Sequence, residues 1–208
     1  MADYTFYTNP MSRGQIARWA LHEAGANYEQ VIVDWTNKPA AFMDANPMGK
    51  VPTLIHHYVA GDRVVTEAAA ICHYLAEMQP EVGLLPGDGE MADYFRWLFF
   101  AAGPVEQAVL SRNLKFEPSP DQQRMAGFGS FDQTITALEQ HLADRNYVCG
   151  SRFTMADVYV GSQIDWGLTF GTIPPLLSFV AYAERLQDRA AYKAAKAIDN
   201  TLIAEMRK

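Results

Sequence analysis

Apolar residues recur along this chain at two different periods, and the change comes about a third of the way in. Tyr4 to Tyr7 reads as a short strand, ended by Asn9-Pro10. Ile16, Trp19, Ala20 and Ala24 then fall at helical spacing, predicting a helix from Ser12 to Ala24 that Gly25 stops. Tyr28 to Val33 is rich in β-formers, which completes a strand–helix–strand unit. Residues 35–45 are weakly helical around Pro39. Pro52 to His57 and Arg63 to Thr66 form a hairpin about Ala60-Gly61-Asp62, and Glu67 to Glu77 is a closing helix. The order βαβ, α, ββ, α predicts a mixed sheet in a thioredoxin-like domain over residues 1–78.

Between Gln79 and Glu90 the periodicity lapses into Pro80, Gly83, Pro86, Gly87 and Gly89, the signature of a linker over residues 79–90. No strand pattern returns after it. Residues 91–208 therefore read as an all-α helical-bundle domain, and the chain as α+β overall. Met91 to Lys115 is one long helix, bent at Gly103-Pro104 because proline removes a backbone bond. Gln122 to Asp144 is another. Phe153-Thr154-Met155-Ala156-Asp157-Val158 is a complete helix start: Thr154 caps, Asp157 reaches back, and Phe153 and Val158 flank them as a staple. The helix after it runs through Ile164. Pro174-Pro175 and Asp188-Arg189 separate two final helices.

Composition narrows the function classes. With 208 residues, 49% hydrophobic and 20% charged, the chain is an ordinary globular protein. Its net charge of −7 argues against a nucleic-acid partner, which calls for a basic face. His56-His57 is the only histidine pair, so no metal is expected. Cys72 and Cys149 lie far apart with no secretory leader before them, which reads as reduced thiols in the cytoplasm. No apolar run is long enough to span a membrane.

Two segments carry candidate chemistry. In Asn46-Pro47-Met48-Gly49-Lys50-Val51-Pro52-Thr53-Leu54 a turn delivers an extended segment with Pro52 as a strand start. Val51 is held extended by the proline after it, leaving its N–H and C=O free to pair outside the chain, and a cis Val51-Pro52 bond would present them. In Thr66-Glu67-Ala68-Ala69-Ala70-Ile71 an acid and small residues open a helix whose free N–H groups suit a carboxylate. Extended backbone beside a helix start fits a small peptide with a free carboxylate. Glu67 alone would equally be a first-turn acid favoured by the helix dipole.

Together these motifs resemble the glutathione-binding domain of the soluble glutathione S-transferases, of the bacterial, theta-, zeta- and beta-related kind. The resemblance covers the whole chain, because the length, the helical second half and the capping box at Thr154 also fit. It implies that Val51 and Pro52 meet the cysteinyl backbone of glutathione and that Glu67 and Ala68 hold its γ-glutamyl end; Lys38, in the weakly helical segment, is a candidate for its glycyl carboxylate, with a solvated lysine as the alternative. Glutathione would be the co-substrate and an apolar electrophile the partner, in a detoxifying conjugation. Peroxide reduction, or a non-catalytic ligand-binding or protein-interaction module on the same fold, are the alternatives. The resemblance also implies a homodimer.

Such a transfer needs a thiolate, and a free thiol titrates near 8.5. The loop Asn9-Pro10-Met11-Ser12-Arg13-Gly14 sits where a donor to the sulfur is needed. Ser12 is its only hydroxyl after the turn, although Ser12-Arg13-Gly14-Gln15 is also a capping box that would use that oxygen. Counted back from the helix, the serine of theta- and zeta-like members falls nearer Asn9, whose amide can donate. Tyr7 on the strand, or backbone N–H groups alone, remain further choices. The loop has no cysteine, which counts against a disulfide-exchange member. Tyr94, Trp97 and Arg112 on the long helix are candidates to touch the second substrate, while His22 and Glu23 are expected to be solvated.

Overall fold

A computed structural model describes residues 2–207 of the chain. Two compact units divide it: the first takes the chain up to Gly83 and again from Asp188 onward, the second is Leu84–Gln187.

The first unit runs β1 (Tyr4–Thr8), α1 (Gly14–Glu23), β2 (Tyr28–Ile32), α2 (Ala40–Ala45), β3 (Thr53–His56), β4 (Arg63–Thr66) and α3 (Ala68–Met78). Its sheet has the order β2-β1-β3-β4, with β1 parallel to β2 and the other pairs antiparallel. This is the thioredoxin-like arrangement expected from the sequence. Side chains alternate along β1. Phe6 faces α1, where the Arg18 guanidinium lies 5.4 Å from its ring centre, and Tyr7 faces α2, its ring 5.3 Å from that of Phe42.

The last helix of the chain, α10 (Ala190–Met206), packs against α1 in this same unit rather than among the other helices. Arg18 is fully buried and pairs with the equally buried Asp199 at 2.8 Å, and Trp19 meets Tyr192 edge to face. Burial raises the Asp199 carboxyl above its ordinary range while Arg18 draws it back. The expectation that His22 and Glu23 are solvated is corrected here. Glu23 accepts from the Trp19 indole at 2.8 Å and from Arg189 at 2.6 and 2.7 Å, and His22 shares a bond with the Tyr28 hydroxyl. The partner Arg189 lies 166 residues further along the chain, beyond the reach of any local pattern.

The second unit is helical: α4 (Met91–Phe100), α5 (Glu106–Asn113), α6 (Pro120–Gln123), α7 (Phe131–Leu142), α8 (Met155–Phe170) and α9 (Leu177–Gln187). Gly103-Pro104 sits in a π turn, Ala101–Val105, between α4 and α5. The wider turn accommodates a proline without an N–H, so the two helices follow directly on one another. The helix expected from Gln122 to Asp144 is interrupted. Gly129 adopts φ +63 and Ser130 starts α7 with a capping box of its own, exchanging bonds with Gln133. At the start of α8, Asp157 accepts from Thr154 N–H at 2.8 Å, Val148 N–H at 2.7 Å and the Tyr182 hydroxyl at 2.7 Å. That helix continues past Ile164 to Phe170, where Gly171 closes it at φ +67.

Candidate glutathione site

The sheet register gathers the candidate residues at one end. Tyr7 pairs with Thr53 and Thr53 with Thr66, so the end of β1, the start of β3 and the end of β4 lie side by side. Val51-Pro52 precedes Thr53 and is cis, as anticipated. Glu67 follows Thr66, one step beyond the ladder and next to Pro52.

The turn before Val51, read from Asn46-Pro47 in the sequence, is held together by the Asn46 side chain. Asn46 is buried, donating to the Lys50 carbonyl at 2.9 Å and to Thr53 Oγ1 at 3.0 Å while accepting from Met48 N–H at 3.2 Å. The asparagine before proline signalled the turn, but not that its side chain is buried and bonds across to Thr53. Val51 packs with Tyr7, Val33 and Phe42, and its backbone enters no turn or cap bond with the described residues. Lys38 lies over this turn: a Cβ on Gly49 would come within 2.9 Å of its Nζ.

Glu67 is exposed and has φ +64, a conformation that disfavours any side chain. No side chain caps α3, and the carboxylate has no partner among the described residues. Nothing in the sequence signals this backbone, since glutamate is not a residue of left-handed turns. Strain of this kind collects at ligand clamps. The donors at the start of α3, with Ala68 buried at its first position, are left to solvent or to an anion.

Around the β1–α1 loop the candidates separate. Asn9 is buried and its side chain builds the turn, donating to Val33 C=O at 3.0 Å and accepting from Met11 N–H at 2.9 Å. Ser12 is half-buried. Its Oγ donates to the Asn9 carbonyl at 2.6 Å and accepts from Gly14 N–H at 3.0 Å. The capping box expected with Gln15 does not form, because α1 begins at Gly14 and the Gln15 amide turns back to the Pro10 carbonyl. Gly14 is required by space: a Cβ there would run into Thr8 Oγ1, which is buried without a hydrogen-bond partner. Tyr7 is buried in the apolar cluster with Val51, and its hydroxyl has no partner among the described residues.

Other candidates fall elsewhere. Tyr94 and Trp97 are buried in the second unit, Trp97 stacked on His141 at 4.0 Å. Arg112 lies 4.0 Å above the Phe131 ring. Burial lifts the Cys149 thiol to about 11 and the Cys72 thiol further still, so neither is a nucleophile near neutral pH. Among the described residues no cluster of histidine, cysteine and carboxylate could hold a metal ion, and no helix is long and apolar enough to cross a membrane.

Comparison with known proteins agrees with this geometry. The family model described as the glutathione S-transferase N-terminal domain matches residues 2–77, and that of the C-terminal domain matches residues 107–166. Glutathione S-transferase 3 of Zea mays is 30% identical over 171 residues, 76% of this chain and 75% of its own. A glutathione transferase structure from Methylococcus capsulatus shares 28% identity with a TM-score of 0.76, covering 95% of this chain and 99% of that one. A sphingomonad glutathione S-transferase complexed with glutathione gives 28% and 0.73, covering 94% and 98%. With both domain models matched in order and a relative of this identity over three quarters of its length, the chain belongs to the glutathione S-transferase family.

Proposed function

We propose that this protein is a glutathione transferase that adds the glutathione thiolate to electrophilic apolar compounds. The observation that carries the reading is the convergence at one sheet end of the unused Val51 backbone and an uncapped helix start led by a strained Glu67. A relative solved with glutathione bound supports the co-substrate. In this reading Val51 pairs with the cysteinyl backbone, Glu67 takes the γ-glutamyl ammonium, and the N–H groups from Ala68 onward take its carboxylate. Lys38 meets the glycyl carboxylate.

Lowering a thiol pKa from 8.5 by two units requires about 2.7 kcal/mol of preference for the anion. Ser12 is the donor we assign. Its O–H now goes to a neutral carbonyl, and turning it to a thiolate exchanges that bond for a charged one of roughly twice the strength. Gly14 N–H holds Oγ in place through the exchange. The enzyme acts as a homodimer in the cytoplasm, where the unpaired Cys72 and Cys149 are at home. A species that sediments as a monomer at every concentration would remove the dimer.

The test is titration of the bound thiol by its ultraviolet absorbance in wild type, Ser12→Ala, Asn9→Ala and Tyr7→Phe. A pKa that returns toward the free value in Ser12→Ala alone supports the assignment. A return in Tyr7→Phe or Asn9→Ala moves the donor there. A thiol bound at its ordinary pKa in wild type replaces catalysis with a binding module.

A further inference from the structure

We propose that Lys196 on α10 positions the Ser12 loop through the Gln15 amide, which makes the last helix part of the thiol-activating apparatus. The proposal rests on the reading in which Ser12 is the donor to the thiolate, and adds a residue that nothing in the loop's own sequence indicates. Lys196 Nζ donates to Gln15 Oε1 at 2.9 Å across 181 residues, and Gln15 Nε2 donates to the Pro10 carbonyl. Pro10 follows Asn9, whose carbonyl takes the Ser12 hydroxyl. All of these residues belong to the first unit.

The chemistry of the three groups fixes their order. An ammonium donates and cannot accept, so it takes the oxygen of the Gln15 amide and turns the NH2 toward Pro10. The Pro10 carbonyl only accepts, so a reversed amide would set oxygen against oxygen. Lys196 therefore selects the one amide orientation that braces the loop. Two contacts hold the lysine in turn. Its Nζ lies 5.4 Å from the Tyr192 ring centre, and that ring meets Trp19 of α1 edge to face. Arg18 and Asp199, one turn beyond Gln15 and Lys196 on their own helices, form the buried pair that seats α10 on α1. From the other side the loop is tied by Asn9 to the Val33 carbonyl and the Met11 N–H. The loop is thus held from the sheet and from α10, while the Ser12 hydroxyl keeps its freedom to turn. Misplacing a reacting group by about 1 Å can cost about a hundredfold in rate.

The experiment measures kcat and KM for glutathione with a standard electrophile, the ultraviolet titration of the bound thiol, and urea unfolding. In Lys196→Glu the new carboxylate takes the Gln15 NH2 and turns Oε1 toward Pro10. There kcat should fall about tenfold or more and the thiol pKa should return toward its free value. KM for glutathione should stay within about twofold, because Val51 and Glu67 are untouched. Lys196→Met leaves the amide undirected and should lose less, and Lys196→Arg should restore wild-type values. Lys193→Glu makes the same charge change at an exposed position of α10, where the partner is Asp188, and should leave both readouts alone. On a Gln15→Leu background Lys196→Glu should add no further loss, since no amide remains to turn. Wild-type kcat and thiol pKa in Lys196→Glu and Lys196→Met overturn the proposal. An equal loss in Lys193→Glu also overturns it, because the effect would then be one of charge alone. So does a lowered urea midpoint with kcat per folded molecule intact. A thiol pKa raised in Ser12→Ala but unmoved in Lys196→Glu removes this proposal and leaves the Ser12 reading standing, whereas one unmoved in Ser12→Ala removes both.

Discussion

At the start of α8 a buried carboxylate takes every donor within reach, whereas at the start of α3 an exposed carboxylate takes none. Asp157 is fully buried and held by Thr154, Val148 and Tyr182. Glu67 has no partner among the described residues and stands at φ +64 ahead of an uncapped helix. Both acids sit at helix N-termini, where the dipole favours them. The difference lies in who satisfies the groups. A helix start closed by its own chain stabilises the fold. One left open and strained at the end of a sheet costs stability and leaves its donors to solvent or to an anion. The β1–α1 loop lies between these cases: Ser12 is bonded on both sides, yet one of those bonds is to a carbonyl that it can exchange.

The largest expected effect breaks the closed start. Asp157→Asn leaves buried donors unpaired and should cost about 3 kcal/mol or more in urea unfolding, while glutathione affinity of the folded fraction stays unchanged. That loss should also depend on pH. Burial lifts the Asp157 carboxyl to about 6 against an ordinary 3.8, even with several bonds drawing it down. The folded state therefore binds this proton more tightly than the unfolded chain does. The group's stabilising protonation is complete below about pH 4 and lost as pH rises to about 6, so the gap between wild type and Asp157→Asn should narrow across that window. A gap that widens with pH would reject the assignment.

Ser12→Ala comes next and sharpens the intermediate case. If Ser12 acts on the sulfur, conjugation with a standard electrophile should fall about a hundredfold, the usual effect of deleting one preorganised donor. Thr154→Ala should instead lose roughly 1 kcal/mol of stability at unchanged turnover per folded molecule. The same stability loss in Ser12→Ala with turnover intact would put Ser12 in the closed class.

The open start should respond in the opposite sense from the closed one. Glu67→Ala should weaken glutathione binding by about 1.5–3 kcal/mol by calorimetry. The smallest effect is the most discriminating. Glu67→Gly relieves the left-handed strain and should raise unfolding stability by about 1 kcal/mol while weakening glutathione to the same degree as Glu67→Ala. A variant that loses both stability and affinity would mean that Glu67 is structural.

Much of this was legible beforehand, and the limits follow from range. The cis Val51-Pro52 turn and the Glu67-Ala68 helix start were readable because turn and cap chemistry acts over a few residues. Of the donor candidates, the sequence put Ser12 ahead of Asn9 on its hydroxyl alone, without showing what either side chain bonds. Only packing shows that Asn9 is committed to Val33 across 24 residues, and that Ser12 bonds within its own loop instead of capping with Gln15. The break ahead of α7 was missed although Ser130 and Gln133 spell a capping box, because the apolar period alone does not register it.

By itself the sequence determined the strand and helix identities, the change from mixed to all-helical pattern and the capping box at Thr154, all set by contacts within about one turn of chain. Tertiary structure alone decided that α10 joins the first unit, with Arg18 and Asp199 paired across 181 residues in its core. It alone aligned Tyr7, Thr53 and Thr66, and it alone forced Glu67 to positive φ. Periodicity records which face of an element is buried. The partner that face meets, and the strain a backbone is made to bear there, depend on residues that the local pattern does not contain.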